Sequence, residues 1–109
     1  MDEDHNDVFG LVRRRFERSS VRIPARIRIA GDNRHQVQII DLSRAGFQME
    51  CIISVPADRL IYMTIPGFAS IEASVAWHSG WHYGCVFSLP LHEAIYDDLV
   101  KKYPEFSAN

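Results

Sequence analysis

The sequence predicts an all-β domain, a small sandwich or barrel, finished by one C-terminal helix. Three observations predict it. Apolar residues alternate with polar ones in several short runs from Val21 onward, the period of a half-buried strand. These runs recur about every ten residues between turn-forming stretches, the spacing of sandwiches and barrels. Only the last stretch, PLHEAIYDDLVKKY, changes to a helical period. At 109 residues, the chain has room for one modest core.

The elements follow in order. Residues 1–10 are polar and acidic and end at Gly10, which predicts a loose tail ahead of a single domain over residues 11–109. LVRRRFERSS could make a helical turn, but Ser19, Ser20 and Pro24 cut it short. From Val21 the first strand puts Ile23, Ala25, Ile27 and Ile29 on one face and Arg22, Arg26 and Arg28 on the other. AGDNR is turn chemistry, and QVQII is a second strand with Val37 and Ile39 facing in. After DLSRAG, a third strand alternates Phe47, Met49 and Cys51 with Gln48 and Glu50. LIYMTI is a fourth. SIEASVAWH is a fifth, with Ile71, Ala73, Val75 and Trp77 inward. HYGCVF is a sixth, with Tyr83, Cys85 and Phe87 inward. In the helix, Leu91, Ile95, Leu99 and Tyr103 form an apolar stripe and Pro90 suits the first turn. Asp97–Lys101 and Asp98–Lys102 are i,i+4 pairs in the favourable order. The stripe is expected to cover one opening of the barrel, or else to meet a partner.

Composition excludes several classes. No apolar run approaches the roughly 20 residues needed to span a bilayer. The acidic start, Met1–Asp7, does not resemble a signal peptide, so the cytoplasm is the expected compartment. Cys51 and Cys85 lie in apolar stretches with no CxxC and read as reduced core residues. A Gly-rich phosphate loop, HExxH and GxSxG are all missing. His78 and His82 flank one turn, but two imidazoles without a nearby thiolate or carboxylate seldom hold a metal, so no metal site is expected. Asp97 and Asp98 point apart on a helix and make a poor acid–base pair. The residues therefore give no reason to expect an enzyme.

Net charge hides an asymmetry. The chain carries −2 overall, yet residues 13–34 hold Arg13, Arg14, Arg15, Arg18, Arg22, Arg26, Arg28 and Arg34 against only Glu17 and Asp32. All eight cations are arginine, whose planar fork suits phosphate oxygens, a guanine edge or a base face better than an ammonium does. DLSRAG offers a complement. On a strand end Asp41 and Ser43 project to one side, and Gly46 permits a tight turn or a close approach. A carboxylate accepts from the N–H donors of guanine, and arginine takes O6 and N7 on the opposite edge. A plain strand-to-strand turn and a solvated strand face remain the alternatives for the two segments.

Taken together, Arg14 and Arg18 (RxxxR) followed after one strand and its turn by Asp41, Ser43 and Gly46 (DxSxxG) resemble the PilZ domain, a bacterial receptor for the second messenger cyclic di-GMP. The resemblance runs from about Arg13 to Tyr103. It implies a six-stranded antiparallel β-barrel with a C-terminal helix and no cofactor, the ligand being cyclic di-GMP. Arg14 and Arg18 would sit on a mobile arm ahead of the first strand and grip phosphates and guanine. Asp41 would take a guanine N–H edge, Ser43 the phosphate–ribose part, and Gly46 would keep the turn open. Arg13, Arg15 and Arg44 are additional candidate contacts, Arg13 by stacking on a second guanine of an intercalated ligand dimer. The arm would order on binding and signal to a downstream protein of unknown identity. A homodimer and a nucleotide-independent adaptor of the same family stay open. A nucleic-acid polymer is disfavoured, because aromatics are not interleaved on the exposed faces.

Overall fold

The computed structural model describes residues 16–29, 31 and 34–106. Six strands and a helix follow one another: β1 (Arg18–Ile29), β2 (Arg34–Ser43), β3 (Gly46–Glu50), β4 (Leu60–Thr64), β5 (Ile71–Ser79), β6 (His82–Phe87) and α1 (Glu93–Lys102). Every neighbouring pair is antiparallel, and the order β1-β2-β3-β6-β5-β4 closes where β4 returns to β1. Closure follows from the alternation. Each strand has one apolar face, and curling the sheet on itself buries all six while removing open edges. The tail expected over residues 1–10 lies outside the described residues.

On β1, Val21, Ile23, Ala25, Ile27 and Ile29 are all buried, and Arg22 and Arg26 are exposed. The strand starts at Arg18, ahead of the alternating run, because Arg18, Ser19 and Ser20 pair with Ser43, Leu42 and Asp41. Arg18 therefore belongs to the barrel wall, not to an arm ahead of it. Phe47, Met49 and Cys51 meet Tyr83, Cys85 and Phe87 in the interior. The Phe47 and Phe87 rings sit 5.2 Å apart at 40°, a tilted contact favoured by the ring quadrupoles. Both cysteines are free and buried.

The fifth strand departs from strict alternation. Pairing with β6 is irregular between Val75 and Trp77, so Val75 lies opposite Cys85 and Trp77 opposite Gly84. The extra residue turns the Trp77 side chain out of the core, where the alternation had put it, onto the outer wall. A bulge does this because it shifts every later side chain to the other face. His78 is exposed, as expected, and its ring stacks on Tyr83 at 4.8 Å.

The helix begins at Glu93, with His92 as its N-cap: the ring Nδ1 accepts from the Ala94 N–H at 3.0 Å. Pro90 lies ahead of the cap and not in the first turn. Leu91, Tyr96 and Leu99 join the core, whereas Ile95 is left at the surface. A 3.6-residue turn drifts off a strict four-residue stripe and selects Tyr96 instead. The Asp98–Lys102 pair forms, at 3.4 Å, and Asp97–Lys101 does not. Beyond the helix, the Arg22 N–H donates to the Tyr103 carbonyl at 3.1 Å and Val21 bridges Pro104, so the chain covers a part of β1 that β4 does not reach. No helix among the described residues is long and apolar enough to cross a membrane.

Candidate functional site

Registers across the wall place one row of residues side by side. Ser20 lies opposite Asp41, Asp41 opposite Gln48, Gln48 opposite Gly84, and Gly84 opposite Trp77. The row spans β1, β2, β3, β6 and β5. A second irregularity, between Ile39 and Asp41, sets the end of β2: Ile39 points in, Leu42 points in again, and the carboxylate between them reaches the outer wall.

Arg18 pairs with Ser43 across the strands and so stands diagonally to Asp41, within reach of a long side chain. Its Nε donates to Asp41 Oδ2 at 3.1 Å, and one Nη donates to the same oxygen. The other carboxylate oxygen, Oδ1, accepts no hydrogen bond from the described residues. The arginine side chain is 45 % exposed and the aspartate 18 %. Arg18, Asp41, Ser43, Gly46, Gln48 and Trp77 surround a dent of about 10 Å³, roughly the room one water needs. A larger ligand must lie over this surface or displace the Arg18 side chain.

The indole of Trp77 lies flat on Gly84. A Cβ added at Gly84 would fall 2.1 Å from Trp77 Nε1, so only glycine leaves space for the ring. Gly46 is required for a different reason from the open turn expected of it. An added Cβ there would sit 2.1 Å from the Cys85 carbonyl oxygen; its role is close approach of β3 to β6.

Ser43 is 3 % exposed. Its Oγ accepts from the Ala45 N–H at 3.0 Å and the Gly46 N–H at 3.2 Å, which holds the β2–β3 turn in shape. In this conformation the hydroxyl, buried at the floor of the dent, is bonded to backbone. Arg44 is also engaged: its Nε donates to the Leu91 carbonyl at 2.7 Å and its guanidinium lies 4.9 Å from the centre of the Phe16 ring. It ties the turn to the approach of α1. The Ser19 hydroxyl and the Tyr96 phenol are 2.6 Å apart, a second tie between the site edge and the helix. Burial pushes the Tyr96 phenol up, partly offset by the Ser19 bond.

The structure thus brings Arg18 and Asp41 together, sets Ser43 and Gly46 beneath them as the frame of the turn, and directs Arg44 toward α1. Arg13, Arg14 and Arg15 lie outside the described residues. Sequence reasoning missed Trp77 and Gln48 as members of this face; a glycine opposite a tryptophan in paired strands was the signal available. Chemically, the face offers a carboxylate oxygen with no donor among the described residues, a half-exposed guanidinium and a flat aromatic surface. These can accept from heterocycle N–H groups, pair with phosphate and stack.

No curated protein matches the chain. The family model for the PilZ domain matches residues 12–102, spanning all six strands and the helix, and the chain belongs to the PilZ domain family.

Proposed function

We propose that this protein is a cyclic di-GMP receptor that binds through Arg14 and Arg18 on one side and the Asp41–Gly46 turn on the other. The family is a binding domain family generally associated with this ligand. The observation that carries the reading is the Arg18–Asp41 pairing: the last arginine of RxxxR and the first residue of DxSxxG share one outer face. In the proposed complex Asp41 Oδ1 accepts from a guanine N–H edge and Arg18 turns from the carboxylate to phosphate or guanine. Ser43 and Gly46 position the turn, and Trp77 supplies a stacking surface. Arg14, with Arg13 and Arg15, closes from the segment ahead of β1, while Arg44 contributes positive charge from the turn.

Binding is an ordering event with no chemical step. Fixing the leading segment costs about 1–2 kcal/mol per backbone residue. Charge-assisted bonds to the phosphates offset that cost; removing one partner of a buried charged pair typically loses roughly 2–5 kcal/mol. The two ties to α1, from Ser19 and Arg44, give the helix a stake in the same event, and a partner protein reads the resulting population shift. Calorimetric titration with cyclic di-GMP, GTP and a linear RNA tests the reading. Sub-micromolar to low-micromolar binding of cyclic di-GMP alone is expected. A flat trace at tens of micromolar protein ends the proposal. Protection of amides 10–20 from hydrogen exchange by the ligand tests the ordering step.

A further inference from the structure

We propose that the outer wall formed by β2, β1 and β4 is a docking surface for an extended acidic segment of a partner protein that also carries one bulky apolar side chain. Residues Arg34–Gln38 of β2, Arg22–Arg28 of β1 and Leu60–Thr64 of β4 place Arg22, Arg26, Arg28 and Arg34 outward and themselves contain no carboxylate; the carboxylate on the track is Glu50, opposite Gln38 at the edge of β3. Among the described residues, none of the four lies within ion-pair distance of Asp or Glu. Arg28 and Arg34 are direct cross-strand partners, a like-charge arrangement that destabilises a sheet. Solubility would be served as well by mixed charges, so an arginine face without an ion-pair partner among the described residues is an unusual feature to build into a chain of net charge −2.

The same wall holds two grooves that meet at Pro24 and Gln36. One continues past Arg26 to Thr64 and Pro66. The other runs past Gln38 and Glu50, whose carboxylate lies 3.3 Å from the His82 ring, to Ile52 and Trp81, which are 79 % and 70 % exposed. These two large apolar groups stand together because the Cys51 N–H donates to the Trp81 carbonyl at 2.8 Å. Tryptophan and arginine are the residue types that dominate binding energy in protein interfaces, and the track has Trp81 at one end and Arg26 along the other groove.

The occupant follows from the chemistry. On this wall β1 is paired with β2 on one side, and with β4 and the chain at Tyr103–Pro104 over most of the other, so side chains make the greater part of the recognition. Alternate residues of β1 stand about 7 Å apart, the same interval as alternate side chains of an extended peptide, so carboxylates at every second position match Arg26 and Arg28. A nucleic-acid strand needs a series of stacking platforms. Here Tyr62 is already covered by Arg28, at 4.8 Å, and Trp81 is one platform. A membrane surface would face two glutamines and a threonine at the centre of the track. The face lies along β1 from the cyclic di-GMP site and does not depend on that reading.

Fluorescence anisotropy with a labelled synthetic peptide of alternating Glu and Thr around a central Leu tests the surface. Its Gln-for-Glu counterpart, a single-stranded oligonucleotide and phosphatidylglycerol vesicles compete as probes. The acidic peptide is expected to bind at least about tenfold more tightly than its Gln counterpart. The combined Arg26→Glu and Arg34→Glu variant should lose that binding, Trp81→Ala should weaken it several-fold, and Asp41→Ala should leave it unchanged. All of these positions except Asp41 are exposed, and circular dichroism confirms that the variants fold. Failure of the acidic peptide to bind, equal binding of the Gln peptide, tighter binding of oligonucleotide or vesicles, or wild-type affinity in the charge-reversed variant overturns the proposal.

Discussion

Arg18 and Asp41 stand diagonally across the first two strands, and two guanidinium nitrogens converge on one oxygen of the carboxylate, Oδ2. Among the described residues nothing donates to the other oxygen, Oδ1, and the guanidinium lies next to it. A half-exposed pair of this kind contributes little to folding, about 0–1 kcal/mol, so loss of binding can be separated from loss of stability. Arg18→Ala and Asp41→Ala are each expected to weaken cyclic di-GMP binding at least tenfold, about 1.4 kcal/mol, with melting temperatures close to wild type. Arg14→Ala should do the same. Arg28→Ala, far along β1, should leave affinity unchanged in the same titration, and equal damage from it would mark the site as a diffuse basic surface.

Trp77 provides an optical report of the site. It shares the dent with Arg18 and Asp41, whereas Trp81 stands exposed on a groove of the other wall. Cyclic di-GMP should quench tryptophan emission in wild type and in Trp81→Phe, and the quench should vanish in Trp77→Phe. Persistence of the full quench without Trp77 would remove the indole from the binding face.

Gly46→Ala should destabilise the barrel whether or not ligand is bound. The new methyl would lie 2.1 Å from the Cys85 carbonyl oxygen, and the obstacle is backbone, so two paired strands must separate. Overpacking of this kind costs about 1–3 kcal/mol. A lowered urea midpoint checks it. Gly31→Ala is a different case: nothing lies within 4 Å of its added methyl, but its φ of +83° makes the loss one of backbone strain in a turn.

Stability should fall on the alkaline side. Burial, with a further contribution from Cys51, pushes the Cys85 thiol from 9.0 up to about 12, and burial raises Cys51 and Tyr96 as well. A folded-state pKa above the unfolded one means that the fold holds its proton more tightly. The contribution is complete below about pH 9 and is lost as pH climbs through the folded value. Urea midpoints should therefore hold from pH 7 to 8.5 and drop by pH 10.5, with a shallower drop in Cys85→Ala. The same burial keeps both thiols unreactive toward iodoacetamide at pH 8 until urea unfolds the chain.

The six strands, the inward set on β1, β3 and β6 and the terminal helix were all legible in the order of residues. Period-two alternation is a local property, and closing one core around it leaves few other outcomes. The helix was legible in extent more than in face: a strict spacing of four selected Ile95 where the true turn buries Tyr96.

The amino-acid sequence by itself determined that a β domain would carry its arginines on an outer face, near a carboxylate-bearing turn. Tertiary structure decided which side chains meet. Irregular pairing between Ile39 and Asp41 and between Val75 and Trp77 sends Asp41 and Trp77 to the same wall. The extension of β1 back to Arg18 sets its guanidinium on that carboxylate. The demands on Gly46 and Gly84 come from a neighbouring strand and a neighbouring ring. The physical reason is that a bulge depends on how two strands distant in sequence settle their register, and the alternation within either strand holds no record of it.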